Sequence, residues 1–138
     1  MIKPICKDTI LLRQKAKEAR LEDKQVIRDL LDTLLANSDR CVGMAANMIG
    51  VNKAIIAFYN EITDKYEVML NPIIVKKSNV YQSVEGCLSL NGQRPTTRYQ
   101  VITVRFQDEN MIKKEKQYIG FTAQIIQHEC DHLEGILI

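Results

Sequence analysis

The sequence His-Glu-x-x-His at residues 128–132 constrains this 138-residue chain more than any other feature. On an α-helix, residues four apart share a face, so His128 and His132 can each offer an imidazole nitrogen to one metal ion. Glu129 follows the first histidine, where its carboxylate can reach a water at the metal and accept its proton. The motif also arises by chance on polar helices, but both histidines of the chain lie within it. This concentration favours a metal site.

Two histidines do not complete a catalytic site, which usually has three protein ligands and one open position. Cys87, in the segment 85–89, is the candidate for the third ligand. A thiolate with two imidazoles is a soft donor set that suits Zn(II) or Fe(II). The sequence therefore predicts one divalent ion bound by Cys87, His128 and His132. Cys130 is expected to face away from it, because it lies about 200° around the helix from His128 at ~100° per residue.

The composition predicts a single cytoplasmic domain over residues 1–138. The 19 basic and 17 acidic residues leave a net charge of +2 and are spread along the chain, which argues against nucleic acid or an anionic membrane as a partner. No apolar run approaches the ~20 residues that a membrane-spanning helix needs. Residues 1–6 lack the apolar core of a signal peptide, so the four cysteines are expected to be reduced.

Hydrophobic periodicity predicts helices at both ends of a run of short strands, and hence an α+β fold with the metal helix packed against the sheets. The first helix is expected from about Asp23 to Ala36, with one apolar stripe formed by Val26, Ile27, Leu30, Leu31, Leu34 and Leu35. Lys24, Arg28, Asp29 and Asp32 are expected on its other side. Strands are predicted at residues 54–59, 66–70, 73–75, 80–89, 100–106 and 112–119. The last helix should open at residues 120–122 and end at Gly135 in the left-handed conformation.

Three blocks resemble the motifs of peptide deformylases and occur in the order typical of that family. They are Val42-Gly43-Met44-Ala45-Ala46 with Ile49-Gly50, then Glu85-Gly86-Cys87-Leu88-Ser89, then Gln127-His128-Glu129-Cys130-Asp131-His132-Leu133-Glu134-Gly135. The resemblance spans nearly the whole chain. It implies antiparallel or mixed sheets around a central C-terminal helix that carries the His-Glu-x-x-His motif, with an N-terminal amphipathic helix.

The resemblance also implies an activity. Deformylases remove the N-formyl group from the N-terminal formyl-methionine of nascent polypeptides, so a formyl-methionyl peptide is the expected substrate and the ribosome exit region a further expected partner. Fe(II) is the implied ion, and Zn(II) would fit the same ligands. The substrate contacts implied for this chain are Val42, Gly43, Glu85, Gly86 and Gln124.

Two positions depart from the family pattern. The backbone N–H of Leu88 is the implied donor to the oxyanion, but Met48 occupies the position of a glutamine that supplies the second donor. A thioether cannot donate a hydrogen bond, and loss of one such donor costs about 10²–10³-fold in rate, so reduced activity is expected. Cys41 replaces a glycine and is expected to restrict the backbone beside the substrate. The alternative is a deformylase-like paralogue that keeps the metal site but acts on another amide or binds without turnover.

Several polar residues are expected to support the site. Gln124 lies one turn before His128 and could supply the missing donor, although a hydrogen bond to backbone or water is the favoured interpretation. Asn47 adjoins Met48, but in extended chain it would point to the opposite face. Glu85 and Asp131 are candidates to accept the second N–H of a ligand imidazole, with Asp131 expected as a solvated helix charge. Arg98 is expected to form a structural ion pair.

Overall fold

A computed structural model describes residues 1–138 as one five-stranded antiparallel sheet with three α-helices and two short 3-10 helices. The helices are α1 (Thr9–Leu12), α2 (Lys24–Ala36) and α3 (Gly120–Leu133), and the strands are β1 (Gly43–Ala45), β2 (Ile55–Asn60), β3 (Lys65–Gly86), β4 (Gln93–Gln107) and β5 (Lys113–Ile119). The 3-10 helices cover Leu21–Asp23 and Ala46–Ile49. Strand order in the sheet follows the chain, and every neighbouring pair is antiparallel. No helix is both long and apolar enough to cross a membrane.

The sheet has fewer and longer strands than the sequence predicted. The strands expected at 66–70, 73–75 and 80–89 form the single strand β3, whose register shifts between Leu70 and Ile73. Pro72 is tolerated because a bulge does not require its missing N–H. Asn71 adopts φ +52° at this point, and its side chain bonds both the N–H and the carbonyl of Ala19. The strand therefore bends without ending.

The end of β3 also differs from the prediction. The strand stops at Gly86, where it pairs with Gln93 at the start of β4. Cys87 is consequently the first residue of a turn and not a strand residue, as the prediction of a strand over 80–89 required. The paired partner strand begins at Gln93 instead of residue 100, because β3 offers a full edge for it to pair with.

Helix α2 buries the middle of its apolar face, but two residues differ from the predicted pattern. Ile27, Leu30 and Leu34 are buried, whereas Leu35 is half exposed. Asp29 was assigned to the polar side and is buried. Its carboxylate is satisfied there by the side-chain amide of Gln25 at 2.9 Å and by the amino group of Met1, so its burial leaves no unpaired charge.

Strand β2 lies between two helices, and this arrangement positions the metal-motif helix. Successive side chains of a strand point to opposite faces. Ile55 and Ala57 accordingly pack in the same cluster as the apolar face of α2, while Ile56 and Phe58 pack with Ile125 and Ile126 of α3. Helix α3 is therefore held against the sheet by apolar contacts along its length.

A side chain fixes the register of α3 against the sheet, and backbone hydrogen bonds close its C-terminal end. The side-chain Oε1 of Gln127 accepts a hydrogen bond from the N–H of Tyr99 at 2.9 Å, and its Nε2 donates to the carbonyl of Tyr99 at 2.8 Å. These two bonds join the helix to β4. Gly135 has φ +78°, as predicted. Its N–H donates to the carbonyl of His132, and Ile136 N–H donates to that of Asp131. This pair of bonds is a Schellman motif, which closes the helix just after the metal-motif residues.

Candidate metal centre

Three side chains converge where the end of β3 meets the middle of α3. The Sγ of Cys87 and one ring nitrogen from each of His128 and His132 lie within 4.8 Å of one another. The two Nε2 atoms are 3.1 Å apart. The histidines meet because they are one helical turn apart on the buried face of α3. Cys130, the helix cysteine between them, packs against the apolar cluster on the sheet side and is not part of this group.

A turn directs the thiol of Cys87 toward the helix. The carbonyl of Cys87 accepts from the N–H of Leu90 at 3.1 Å. The N–H of Ser89 points at the Cys87 sulfur at 3.4 Å. The N–H of Leu88 donates to no backbone carbonyl, so it is available to a ligand in the cavity.

Glu85 orients the first histidine. Its Oε1 lies 2.8 Å from Nδ1 of His128, which places the ring proton on Nδ1 and leaves Nε2 free as a ligand atom. Burial opposes the charge of Glu85, but hydrogen bonds from His128 and Arg98 outweigh it and lower the pKa of Glu85 to about 2. The carboxylate is therefore ionised, and its contacts lie within the chain.

Arg98 is the buried cation of this network. Its side chain is 4 % exposed and pairs with Glu85 at 2.7 Å and with Asp131 at 2.7 Å. The expected structural ion pair of Arg98 is thus present. Asp131 differs from the expectation of a solvated helix charge, because the guanidinium holds it against the sheet.

Gln124 is also bonded differently from the favoured interpretation. Its Nε2 donates to Glu85 at 3.0 Å and to Ser83 at 3.2 Å. The hydroxyl of Tyr81 donates to its Oε1 at 3.1 Å. The partners are side chains, and both ends of the amide are engaged. Gln124 therefore extends the Glu85 network and offers no spare donor to the cavity.

Glu129 is buried beside the ligand cluster. Its Oε1 has no hydrogen-bond partner within the chain, which is unusual for a buried carboxylate oxygen. Burial is the main cause that raises the pKa of Glu129 to about 7, close to the optimum for proton transfer at neutral pH. A Cβ placed on Gly43 would lie 2.9 Å from its Oε2. Gly43 therefore leaves the space that the carboxylate occupies.

Met48 also lines the cavity, and its surroundings differ from the extended chain assumed for residues 47–48. Residues 46–49 form a 3-10 helix. Asn47 donates from Nδ2 to the carbonyl of His132 at 2.9 Å, and the carbonyl of Met48 accepts from Cys6 N–H at 2.7 Å. The Met48 sulfur lies 3.9 Å from Cys87 Sγ.

Cys41 causes no backbone strain in this structure. It is not among the residues with positive φ, so the replacement of a glycine there has no conformational cost of that kind. Its thiol lies 2.8 Å from the carbonyl of Gly43. Burial raises the pKa of Cys41 to about 12, so this thiol is protonated at neutral pH.

A cavity of about 490 Å³ opens above the cluster. Every site residue predicted from the sequence lines this cavity except His132, which is fully buried next to His128. Those in the lining are Val42, Gly43, Met48, Glu85, Gly86, Cys87, Leu88, Gln124, His128 and Glu129. The structure thus brings all of them to one place.

Three apolar residues that line the same cavity were not predicted from the sequence. Phe121 and Ile125 of α3 and Val84 of β3 also line the cavity. Phe121 and Ile125 precede His128 by seven and three residues, so helical periodicity could have assigned them to the metal-facing side. Val84 carries no comparable signal, because alternation in a half-exposed strand does not identify which face meets a cavity.

The donor set suits a divalent cation. Burial lowers the pKa of His132 to about 3, so its imidazole is neutral, as a metal ligand must be. Burial also opposes the charge of His128, but hydrogen bonds to Cys87 and Glu85 outweigh it and raise the pKa of His128. A cation held by Nε2 of both histidines and by the Cys87 sulfur would replace the proton between His128 and Cys87, and His128 would then bind as a neutral imidazole whose remaining proton stays on Nδ1 with Glu85. The unpartnered Oε1 of Glu129 leaves an acceptor for a water on the cavity side.

A Cys-His-His donor set with a buried glutamate beside it, below an open cavity, defines a metal-dependent hydrolase. The sequence model of the family "Polypeptide deformylase" matches residues 2–138. The chain belongs to the peptide deformylase family, whose enzymes remove the N-formyl group from nascent peptides.

Individual relatives agree with this assignment over all or most of the chain. The chain is 54 % identical to a peptide deformylase of Clostridium beijerinckii across 100 % of both chains. It is 35 % identical to a peptide deformylase of Dehalococcoides mccartyi, covering 92 % of this chain and 77 % of that protein. The fold resembles that of a class I type b peptide deformylase from Acinetobacter baumannii with a TM-score of 0.88 at 27 % identity, over 99 % of this chain and 97 % of that one. A structure of the A. baumannii enzyme with bound Met-Ala-Ser has a TM-score of 0.87 at 27 % identity, over 99 % of this chain and 96 % of that one.

Proposed function

We propose that this deformylase hydrolyses formyl-methionyl peptides at one divalent ion held by Cys87, His128 and His132, at a reduced rate. The observation that carries the proposal is the convergence of these three donor atoms within 4.8 Å beneath an open cavity. Two further observations support the proposal. Glu85 orients the imidazole of His128, and Glu129 has a buried carboxylate oxygen with no hydrogen-bond partner in the chain.

Glu129 is the proposed general base and acid. When bound, a divalent ion would lower the pKa of a water and polarise the formyl carbonyl. Glu129 accepts a proton from the attacking water while the water oxygen forms a bond to the formyl carbon. The same carboxyl then returns that proton to the peptide nitrogen as the C–N bond breaks. The products are formate and a free amino terminus.

The N–H of Leu88 is the proposed donor to the oxygen that becomes negative in the transition state. It is free of backbone partners and lines the cavity. Neither Met48 nor Gln124 supplies a second side-chain donor, because Met48 has only a thioether and Gln124 is fully engaged. The missing donor corresponds to a loss of about 10²–10³-fold in rate. This is the basis for proposing reduced activity.

The peptide is proposed to contact both walls of the cavity. Gly43 is the first residue of β1, an edge strand of the sheet, and Val42 directly precedes it. Edge strands can pair with an extended peptide through their backbone. Gly86 and Gln124 also line the cavity, where Glu85 contributes through its network and not as a free charge.

Fe(II) is the proposed native ion and Zn(II) the competitor, since the soft donor set accepts either. We also propose a cytoplasmic location and action near the ribosome exit region, because the family's substrates are nascent peptides. We further propose that α2 is the N-terminal amphipathic helix of the fold and that α3 is its central helix, which carries the His-Glu-x-x-His motif.

A formate-release assay tests the proposal. The protein is purified without oxygen, its metal content is measured, and formyl-Met-Ala-Ser is compared with acetyl-Met-Ala-Ser. We expect formate from the formyl peptide only, in proportion to bound metal. Metal binding with cleavage of the acetyl peptide would favour a paralogue that acts on another amide. Metal binding with peptide binding but no turnover would favour a non-catalytic role.

A further inference from the structure

We propose that Gln124 is a positioning residue of the metal centre, which holds the carboxylate of Glu85 and, through it, the imidazole of His128. The side-chain Nε2 of Gln124 donates to Oε2 of Glu85 at 3.0 Å. The other oxygen of the same carboxylate, Oε1, lies 2.8 Å from Nδ1 of His128. The inference rests on the proposed three-ligand ion site and gives Gln124 a role beyond the substrate contact proposed above.

The carboxylate of Glu85 joins two residues of one helix face. Gln124 and His128 are four residues apart on α3, so their side chains point the same way. Each contacts a different oxygen of Glu85, so the carboxylate cannot rotate without breaking at least one contact. Arg98 also contacts both oxygens, but it lies on β4. Arg98 therefore holds Glu85 to the sheet, whereas Gln124 holds it to the helix that carries both histidines.

The amide of Gln124 is itself held in one orientation. The hydroxyl of Tyr81 donates to its Oε1 at 3.1 Å, and its Nε2 also donates to the hydroxyl of Ser83 at 3.2 Å. Tyr81, Ser83 and Glu85 alternate along β3, so their side chains lie on one face of the strand. A donor that is oriented by its own hydrogen bonds can hold a neighbouring side chain in a defined geometry.

Loss of this donor should affect the metal centre through His128. The hydrogen bond on the nitrogen that does not bind metal sets the orientation of a ligand imidazole. Without Gln124, Oε2 of Glu85 would keep the contact with Nε of Arg98 at 3.1 Å, and the carboxylate could turn away from the helix. We therefore expect weaker metal binding and a lower kcat, with KM nearly unchanged.

Nitrogen-15 NMR of histidine-labelled, Zn(II)-loaded protein tests this inference. The chain has two histidines, so the ring signals can be assigned directly and His132 is an internal reference. Gln124→Met preserves the length of the side chain but removes the donor. In this variant we expect the Nδ1 proton of His128 to exchange with solvent about tenfold faster, and chelator competition to show Zn(II) affinity about tenfold lower.

Gln82→Met is the matched control. The Nε2 of Gln82 donates to Thr97 at 3.2 Å in an exposed pair on the sheet. The residue contacts neither Glu85 nor α3 through a hydrogen bond, so its loss should change neither the exchange of the His128 proton nor the Zn(II) affinity.

Unchanged exchange of the His128 proton and unchanged Zn(II) affinity in Gln124→Met would overturn the inference. A higher KM as the only change would assign Gln124 to substrate binding alone and would overturn it as well. A native protein that binds no Zn(II) would contradict the proposed function itself, and the inference with it. If Gln124→Met does not fold, the native protein decides: slow solvent exchange of the Gln124 side-chain amide supports the inference, and fast exchange overturns it.

Discussion

The Oε1 of Glu85 lies 2.8 Å from Nδ1 of His128, although the two residues belong to different elements. Glu85 is the second-last residue of β3, and His128 lies in the third turn of α3. Because Cys87 follows Glu85 by two residues, the same contact that orients the imidazole also brings the thiol to the helix. One hydrogen bond therefore aligns two of the three proposed ligands.

Glu85→Gln should weaken both metal binding and folding. The amide cannot pair with Arg98 as an anion does, and it supports the histidine less strongly. We expect metal affinity to fall by about 10–100-fold and the free energy of unfolding to fall by about 3 kcal/mol. Competitive chelation and denaturant unfolding measure the two effects. Glu115→Gln is the control, because its pair with Arg105 is exposed and should change stability by less than about 1 kcal/mol. Equal effects of the two variants would contradict the role of Glu85.

Glu129→Gln should retain the fold and the metal while removing hydrolysis. Glutamine preserves the shape of the side chain but cannot accept the proton of the attacking water. A fall of at least about 10²-fold in kcat is expected. Formate release and metal analysis on the same sample provide the measurement. Unchanged turnover with full metal content would exclude Glu129 as the base.

Met48→Gln should raise kcat by about tenfold or more. The new amide could donate to the oxygen that becomes negative in the transition state, so the gain should appear in kcat more than in KM. The two side chains are similar in volume, so the packing cost is expected to be small. Kinetics on formyl-Met-Ala-Ser with the same ion loaded in both proteins measure the change. No gain with metal and fold intact would mean that a missing donor does not limit the rate.

Gly43→Ala should impair catalysis more than metal binding. The added Cβ would lie 2.6 Å from Ile125 Cγ2 and 2.9 Å from Glu129 Oε2, so the carboxylate must move. A displacement of that size costs about 10²-fold in rate when it affects a catalytic group. Metal content should remain near one ion per chain, because none of the three proposed ligands is touched. Normal kcat in this variant would contradict the assigned position of Glu129.

Gly135→Ala should destabilise the protein through the end of α3. Its φ is +78°, and the new Cβ would clash with the backbone carbonyl of Arg13. Gly50→Ala is the matched control, with φ +83° and nothing within 4 Å of the new atom. The control should lose about 1 kcal/mol of unfolding free energy from backbone strain alone, and Gly135→Ala about 3 kcal/mol or more. Thermal and denaturant unfolding would compare them, and equal losses would refute the steric argument.

The metal-motif helix was predictable because its signals are local. The spacing of His128 and His132, and the glycine at 135, depend only on helix geometry and on a left-handed terminus. Strand lengths were less predictable. Asn71 and Pro72 resemble a break, and the bonds that keep the strand continuous come from Ala19, 52 residues away. No window of local sequence contains that partner.

The polar network around the site shows the same limit. Arg98 and Glu85 could be proposed as supporting residues, but their pairing depends on the register of β3 against β4. The engagement of Gln124 by Tyr81 and Ser83 depends in turn on how α3 crosses β3. Such contacts are properties of packing, so residue types alone indicate candidates without assigning partners.

Cys87 and His132 are separated along the chain by β4, β5 and nearly all of α3. An ion bound to both in the folded protein would join the two ends of a loop of about 45 residues. Such an ion would be a reversible cross-link: like a disulfide it would connect two distant parts of the chain, but it would be lost when the metal is removed. The free energy of unfolding would then depend on the concentration of the free ion. Removing the ion would make the β4–β5 hairpin more susceptible to proteolysis and would also abolish activity.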